Sequence, residues 1–487
     1  MVAQILGAKM LAPFLGLSHF VWTAQIAVTL VALAVGYYAG GRLADRTQKV
    51  ASLYYAIAAA ALYFALTVVI CEPVAYWALG SSLAVSSLVV SAILFFVPLA
   101  LLAMTGPFLT RVITSSVDTV GGNVGRLTSV GTIGSFLGTL LIGYFLIPNL
   151  PNAVSMLVTA GLLLVVCAGH FLLSRRWTPA IILLLLAGGV AFAAQVERTL
   201  PRRFNNVVEV FRGNSHFGEL QVVDHLDRST RYYLNDNLIQ NTYDPDRKQS
   251  ESAFTYMLSG LARAYVSNVN DVLCIGLGVG IVPMDFARQG ARVDVVEINP
   301  AVMPVAARYF DFEPAKVHLT IDDARHFLNQ CTNQYDAVVL DAFLGDSSPT
   351  HLMTREAFES IRRVLRPGGA LVINSFGELD RGHDFFGASL NRTLKSVFGG
   401  VRMHTRGEGA IFFAATVRTD PHVVNPPDFS AVHLKAQAEV ERIFSSVNDT
   451  APDRGMVLTD NYNPAEFYDA KNREIIRRNL ALGAQRM

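Results

Sequence analysis

Charge is distributed along this chain in a way that admits few folds. The sequence carries 40 Lys and Arg and 39 Asp and Glu, yet only 11 of these side chains lie in residues 1–196. Stretches of about twenty uncharged residues recur near 18–41, 51–71, 81–105, 127–147, 153–173 and 178–195. That is the length an α-helix needs to cross ~30 Å of hydrocarbon. Residues 1–16 read as a short or partial first helix. With 487 residues, 52% of them hydrophobic, and a mean hydropathy of +0.36, the chain is too apolar for one soluble enzyme and long enough for several domains. A multi-pass α-helical membrane domain over 1–196, with the lipid bilayer as its partner, joined to a soluble half, is the expectation.

Within the apolar half, Gly134 and Gly138 are small residues four apart and are expected to allow close helix–helix approach. His170 is the one ionisable residue well inside a span, and its place is read as near a helix end rather than in a proton path. Paired acids, which a route for a charged solute needs, are missing from the spans. The loops at 40–49, 106–126 and 174–176 are basic, whereas 72–80 and 148–152 hold no Lys or Arg, so the basic loops are expected in the cytoplasm. Five further crossings after Lys49 then put the soluble half outside, unless 178–195 stops short of crossing. The side stays open. No charged start with a cleavage site marks a signal peptide.

A formal net charge of +1 and the lack of a basic stripe interleaved with aromatics exclude nucleic acid as the expected partner. Cys71, Cys167, Cys274 and Cys331 are scattered, with no ligand spacing, so neither disulfides nor a metal are expected.

The chemistry concentrates after residue 270. A β-branched run, Asn270 to Ile275, breaks into Gly276-Leu277-Gly278-Val279-Gly280, and a second run ends at Glu297. Glycines there let backbone N–H groups approach a ligand, and an acid ending the next strand can hold a ribose diol. A dinucleotide fingerprint would want glycine at 281, which is Ile281; the spacing fits better the sheets that bind S-adenosylmethionine or its relatives. Strand patterns at 271–276, 291–297, 317–321, 336–341, 370–375, 400–404 and 410–416 alternate with amphipathic segments, and Arg366-Pro367-Gly368-Gly369 reads as a stop after a helix. An α/β Rossmann-like domain of class I methyltransferase type is expected over 250–420. Before it, 204–245 read as a small β-sheet of hairpins; after it, 421–487 read as a helical or lid-like extension.

These residues also resemble a known family. Asn235-Asp236-Asn237-Leu238-Ile239-Gln240, the glycine turn, Glu297, Ile321-Asp322-Asp323-Ala324 and Val339-Leu340-Asp341 through Pro349 stand in the order seen in spermidine synthases, the polyamine aminopropyltransferases. With the apolar spans ahead, nearly the whole chain resembles membrane-fused spermidine synthase-like proteins. The resemblance implies a transferase using S-adenosylmethionine or its decarboxylated form, a polyamine or other amine as substrate, and a homodimer as in the soluble enzymes. It implies that Gln240, Gly276, Gly278, Gly280, Glu297, Asp322, Asp323 and Ala324 bind the cofactor, with Glu297 on the ribose, Asp323 on the adenine and Gln240 at the reacting end. Asp341 would be the acid that takes the amine's proton, with Asp346 adding negative charge for a cation. Tyr256, Asp460 and Tyr462 are the further substrate-binding candidates, the last two on a loop that either folds over the pocket or caps the final helix.

Three positions depart from the family pattern. The acid usual inside the glycine turn is Val279, the usual tyrosine before the first strand is Phe254 with Tyr256 nearby, and Asn241 to Asp246 replace the acid pair after the glutamine. Without the turn acid an anchor for the cofactor amine is gone, and so is repulsion of a carboxylate. Aminopropyl transfer is therefore read alongside methyl transfer, lyase or cyclase chemistry on intact cofactor, and alongside a non-catalytic sensor or transporter.

Overall fold

The computed structural model describes residues 2–16, 19–114, 116–199, 203–204, 206–236, 238–343, 349–380, 383–451, 454–468, 475 and 478. The chain divides into two compact units, residues 1–201 with 213–218, and residues 202–212 with 219–487.

The first unit is helical. A short apolar helix, Val2–Leu15, precedes six helical segments long and apolar enough to cross a membrane: His19–Arg46, Val50–Ala78, Leu83–Ile113, Val117–Asn149, Asn152–Leu173 and Trp177–Thr199. Two of them contain a π-helical turn, at Ala92–Phe96 and Ile142–Leu146. Close helix approach occurs, but not where the sequence suggested. A Cβ at Gly134 would meet nothing within 4 Å, and one at Gly138 only the Val2 Cγ2 at 3.1 Å. The tight contact is instead at Gly36 and Gly40, where a Cβ would lie 2.3 Å from the Ala100 carbonyl oxygen and 2.6 Å from the Met104 Cα. Spacing alone could not tell these two glycine pairs apart, because what matters is which face a neighbouring backbone covers. His170 lies near the end of its helix and stacks on Tyr54 at 3.8 Å between ring centres.

Apart from residues 213–218 at the β2–β3 turn, the second unit begins with a six-stranded antiparallel sheet in sequential order: β1 Arg203–Phe204, β2 Val207–Ser215, β3 Gly218–His225, β4 Arg231–Asn235, β5 Leu238–Asp244 and β6 Gln249–Ser250. The hairpin pattern was readable for β2 to β4; β5, which carries Gln240, was not read as a strand.

An eight-stranded sheet follows, made of β7 Asp271–Ile275, β8 Arg292–Glu297, β9 His318–Ile321, β10 Tyr335–Leu340, β11 Leu365–Glu378, β12 Gly400–Thr405, β13 Glu408–Thr416 and β14 Val447–Asn448. Its order is β14-β12-β13-β11-β10-β7-β8-β9, parallel from β11 through β9, with β13 antiparallel to both neighbours. This is the Rossmann-like methyltransferase-type fold expected. Its central strands β7 and β10 are near-continuous apolar runs because both faces are covered, whereas the edge strand β9 is partly exposed. One face packs Val272, Cys274, Val339 and Val372 against the helix Ala253–Tyr265; the other packs Leu273, Ile275, Leu340 and Ile373 against Phe358, Leu390 and Leu394. Arg366-Pro367-Gly368-Gly369 does end a helix, Arg355–Arg363, but the chain enters β11 through it rather than after it.

Sequential strands run outward from β7 to β8 and β9, then return to β10 on its other side. That reversal leaves a crevice at the carboxyl ends of β7 and β10, the place where open α/β sheets bind ligands.

Candidate functional site

The crevice is built from the turn after β7 and the strand end after β10. The Asp341 amide donates to the Ile275 carbonyl oxygen at 2.9 Å, and the Gly276 amide to that of Val296 at 2.8 Å, so three strand ends are stitched side by side. All three turn glycines have positive φ, +97° at Gly276, +54° at Gly278 and +84° at Gly280. Their surroundings differ. A Cβ at Gly276 would lie 2.3 Å from the Asp341 carbonyl oxygen and one at Gly280 2.4 Å from the Phe312 ring, so packing excludes a side chain at both. At Gly278 a Cβ would meet nothing within 4 Å, and the residue is exposed. The open backbone of the turn is therefore at Gly278, where a ligand can approach. Gly280 starts the helix Ile281–Arg288. Val279, in place of the family's acid, is buried among the apolar residues behind the turn.

Glu297 ends β8 and is buried. Its Oε2 accepts from the Leu277 amide at 2.8 Å and its Oε1 from the Asn299 amide at 2.8 Å. Burial raises its carboxyl above the ordinary value, while these backbone donors and that of Ile298 pull it down. Three backbone donors leave one acceptor site of the carboxylate free, which a ribose hydroxyl can use. The negative charge reaches Tyr233 of β4, whose hydroxyl titrates higher first through burial and then through Glu297.

Asp322 and Asp323 stand beside Glu297, the Asp322 amide donating to the Glu297 carbonyl oxygen at 3.0 Å. Asp322 Oδ2 is 2.6 Å from His326 Nδ1, a contact that lowers its carboxyl. Asp323 Oδ1 caps the helix Ala324–Gln330 through the amides of Arg325 and His326, and its Oδ2 lies 3.2 Å from His351 Nε2. Ala324 is buried behind them.

Asp341 is half-buried, and enclosure pushes its carboxyl up to about 6 against the opposing pull of a hydrogen bond from Asn374. Asn374 Nδ2 donates to Asp341 Oδ1 at 2.9 Å. Asn374 comes from β11, is 4% exposed, and its Oδ1 has no partner among the described residues. A buried carbonyl oxygen without a donor is costly unless something supplies one. Sequence reasoning missed Asn374. The signal was its place in β11, level with the residue that follows β10, as the pairing of Leu340 with Ile373 defines.

The remaining candidates are placed elsewhere or otherwise engaged. Gln240 is half-buried on β5. Tyr256 donates its hydroxyl to the Ser250 carbonyl oxygen at 2.8 Å, and burial raises it to about 12. Asp460 holds Arg325 Nη2 at 2.7 Å and Thr354 Oγ1 at 2.6 Å, and its amide donates to Glu356 at 3.0 Å. Nearby Leu458 is fully buried, so this loop is docked on the helix Arg355–Arg363, while Tyr462 is 56% exposed. Asp346 lies outside the described residues.

Among the described residues, one carboxylate–histidine group has metal-ligand proximity: donor atoms of Asp244, Glu251 and His433 lie within 4.8 Å of one another. Lys435 Nζ occupies Glu251 at 2.5 Å, and His433 Nδ1 accepts from the Lys435 amide at 3.2 Å, which leaves the proton on Nε2 facing Asp244 Oδ2 at 3.2 Å. As arranged, the imidazole offers no lone pair to an ion, and the group is an ion-pair network joining β5 to the helix Leu434–Ser445.

Comparison with known proteins points the same way as the fold. A methyltransferase-domain family model matches residues 272–369. The polyamine aminopropyltransferase of Vibrio vulnificus (strain CMCP6) is 39% identical over 136 residues, covering 26% of this chain and 43% of that protein. The probable polyamine aminopropyl transferase of Bifidobacterium longum (strain NCC 2705) is 29% identical over 192 residues, covering 39% and 42%. The chain thus spans less than half the length of either relative, and less than half of the chain is matched. The solved structure of a probable spermidine synthase from Corynebacterium glutamicum ATCC 13032 aligns with 54% of this chain and 98% of that one, at 18% identity and a TM-score of 0.42. Over the matched segments the chain is similar to polyamine aminopropyltransferases and to a methyltransferase domain.

Proposed function

We propose that this protein is a membrane-anchored aminopropyltransferase that moves the aminopropyl group of decarboxylated S-adenosylmethionine to an amine of a polyamine, releasing methylthioadenosine. The observation that carries the reading is Asp341: a carboxylate at the topological switch point, raised to about 6, facing the same crevice as the open backbone at Gly278. When bound, the donor supplies a carbon made electrophilic by its neighbouring sulfonium. Everything else falls to the chain's own groups. Glu297 holds a ribose hydroxyl with the acceptor site its backbone donors leave free, the Asp322–Ala324 edge receives the adenine, and Gln240 is assigned to the reacting end. Asp341 orients the amine and accepts its proton, because a protonated amine has no lone pair with which to attack. Asn374 fixes the Asp341 carboxylate and offers its free Oδ1 to a second N–H of the same amine. The apolar helices of the first unit are the anchor.

The test is to incubate purified protein with intact or decarboxylated adenosylmethionine, each with and without an amine, and to follow methylthioadenosine by mass spectrometry. Product only with the decarboxylated donor and an amine together is the expected result. Methylthioadenosine from intact donor without amine would replace the reading by a lyase or cyclase, and S-adenosylhomocysteine would replace it by methyl transfer.

A further inference from the structure

The 11 charged side chains of residues 1–196 are not scattered over the first unit. Nine of them belong to the three basic loops, seven cations against Asp45 and Asp118, and the other two are Lys9 and Glu72. Packing gathers the loops at one end of the bundle. Leu43 and Ala44, at the end of His19–Arg46, share a core with Leu53, at the start of Val50–Ala78, and with Phe108 and Val112, at the end of Leu83–Ile113. Ala51 and Tyr54 of that same start share another with Phe171 and Leu172, at the end of Asn152–Leu173, and with Ala180, at the start of Trp177–Thr199. Val68, Val154 and Ala194 pack together towards the opposite end of these last three helices.

Arg42, Arg46, Lys49, Arg111, Arg175 and Arg176 are therefore neighbours in space, and all are exposed. Among the described residues only Arg111 has an acid as partner there, Asp45 at 3.6 Å, too long for a firm hydrogen bond. Crowded like charge repels itself until counter-ions relieve it.

Two features point to the counter-ion. Tyr37 and Tyr38 are exposed near the end of one helix and Trp177 is 62% exposed at the start of another, while the Arg42 guanidinium lies 5.3 Å from the Tyr38 ring centre. Amphipathic rings beside cations mark the boundary between hydrocarbon and headgroups. The second feature is the turn at 174–176. Its Arg175 amide donates to the Leu172 carbonyl oxygen at 3.0 Å and its Arg176 amide to that of Phe171 at 2.8 Å, with Arg175 at φ +55°. Glycine is usual in that left-handed position because it has no Cβ to clash. Arginine is strained there, yet two adjacent guanidinium groups are presented on the same end as Lys49, and guanidinium forks match phosphate oxygens in pairs.

We infer that this end of the bundle docks the phosphate headgroups of anionic phospholipids, held by Lys49, Arg175 and Arg176 with Trp177 beside them. Basic clusters at the ends of membrane helices recruit such lipids by the same attraction. The inference rests on the membrane-anchor part of the reading above and is independent of what the second unit catalyses.

The test uses the full-length protein carrying Trp22→Phe and Trp77→Phe, so that Trp177 is the one tryptophan left. It is placed in phosphatidylcholine vesicles with about 20 mol% phosphatidylglycerol, the quenching bromine being carried either by that lipid or by an equal amount of phosphatidylcholine. Brominated phosphatidylglycerol should quench Trp177 about threefold more strongly than brominated phosphatidylcholine, and ~1 M NaCl should shrink the excess. Lys49→Gln with Arg175→Gln and Arg176→Gln should abolish the excess while quenching by brominated phosphatidylcholine stays as before, which shows that the variant still inserts. Trp77, kept alone instead at the far end of Val50–Ala78, should be quenched equally by both lipids. Equal quenching of Trp177, an excess that survives both salt and loss of the three charges, or the same excess at Trp77 would overturn the docking and leave the anchor standing. Quenching by neither lipid would overturn the anchor and the docking together.

Discussion

Asp341→Asn should remove activity and yet make the second unit more stable at neutral pH. The native carboxyl titrates near 6 where the free group has 3.8. A raised acid means that the native state holds its proton over a range in which the unfolded chain has lost it. The penalty is therefore absent below the unfolded value, grows as pH rises from about 4 to 6, and is fully present above. A shift of about two units corresponds to ~3 kcal/mol at pH 7.5, falling to ~0.5 kcal/mol at pH 4. Asparagine has the same shape and no charge, and its amide can supply the donor that Asn374 Oδ1 lacks. Tryptophan fluorescence would not see the effect, since Trp22, Trp77 and Trp177 all lie in the first unit. Amide hydrogen exchange in β7 and β10 would. Exchange in the variant should be roughly 100-fold slower than in wild type at pH 7.5 and within about threefold of it at pH 4, with each pair compared at one pH so that intrinsic rates cancel. Equal exchange at pH 7.5, or the same slowing at both values, would refute the claim that enclosure of a charge at this strand end is what raises Asp341.

Other consequences are open to measurement. The kcat/KM of the wild type should rise with pH and level off above an apparent pKa near 6, because only ionised Asp341 accepts a proton; a flat profile between pH 5 and 8 counts against Asp341 as the base. Glu297→Gln should weaken binding of adenosyl compounds by ~10- to 100-fold, the worth of charged hydrogen bonds to a diol, as read by calorimetry; an unchanged Kd would remove Glu297 from the ribose. Gly280→Ala should destabilise the second unit strongly, since its Cβ would overlap the Phe312 ring at 2.4 Å, whereas Gly278→Ala meets open space and should cost about 1–2 kcal/mol through its φ alone. Gly278→Ala should lose ligand affinity out of proportion to that stability change, and normal affinity would mean that the ligand does not approach there. Gly36→Val should destabilise the first unit, seen by tryptophan fluorescence, and Gly134→Val should not, given the contacts of each.

Much of the fold was legible because it rests on two coarse signals. Absence of charge over a helix's length marks a span whatever its neighbours, and all six long apolar helices overlap the stretches read from sequence. Buried parallel strands are nearly pure β-branched or apolar runs, which is why β7, β8 and β10 were located to within a residue or two. What failed were readings that depend on a partner. Gly134 and Gly138 have the right spacing but no backbone against them, and Gly36 and Gly40 differ from them only in what Ala100 and Met104 bring. β5 escaped because Gln240, Asn241 and Thr242 give it little apolar alternation; its pairing with β4 holds it.

The site divides along the same line. Gly276, Glu297 and Asp341 could be picked out because each ends a strand, and strand ends on one edge of a parallel sheet are neighbours by topology. Asn374 could not, since an amide inside an apolar strand looks like a tolerated polar residue until Asp341 is found on its Nδ2. Asp460 is the opposite case: an acid in a turn-prone, aromatic segment looks available to substrate, and the structure puts Arg325 and Thr354 on it. In both cases the deciding quantity is whether a polar atom already has its partner. Each Asp460 carboxylate oxygen already accepts a donor and its charge is paired with Arg325, which weakens what it offers an ammonium group. Asn374 Oδ1 has none among the described residues, and a buried carbonyl oxygen without a donor is an atom for which gaining one matters most.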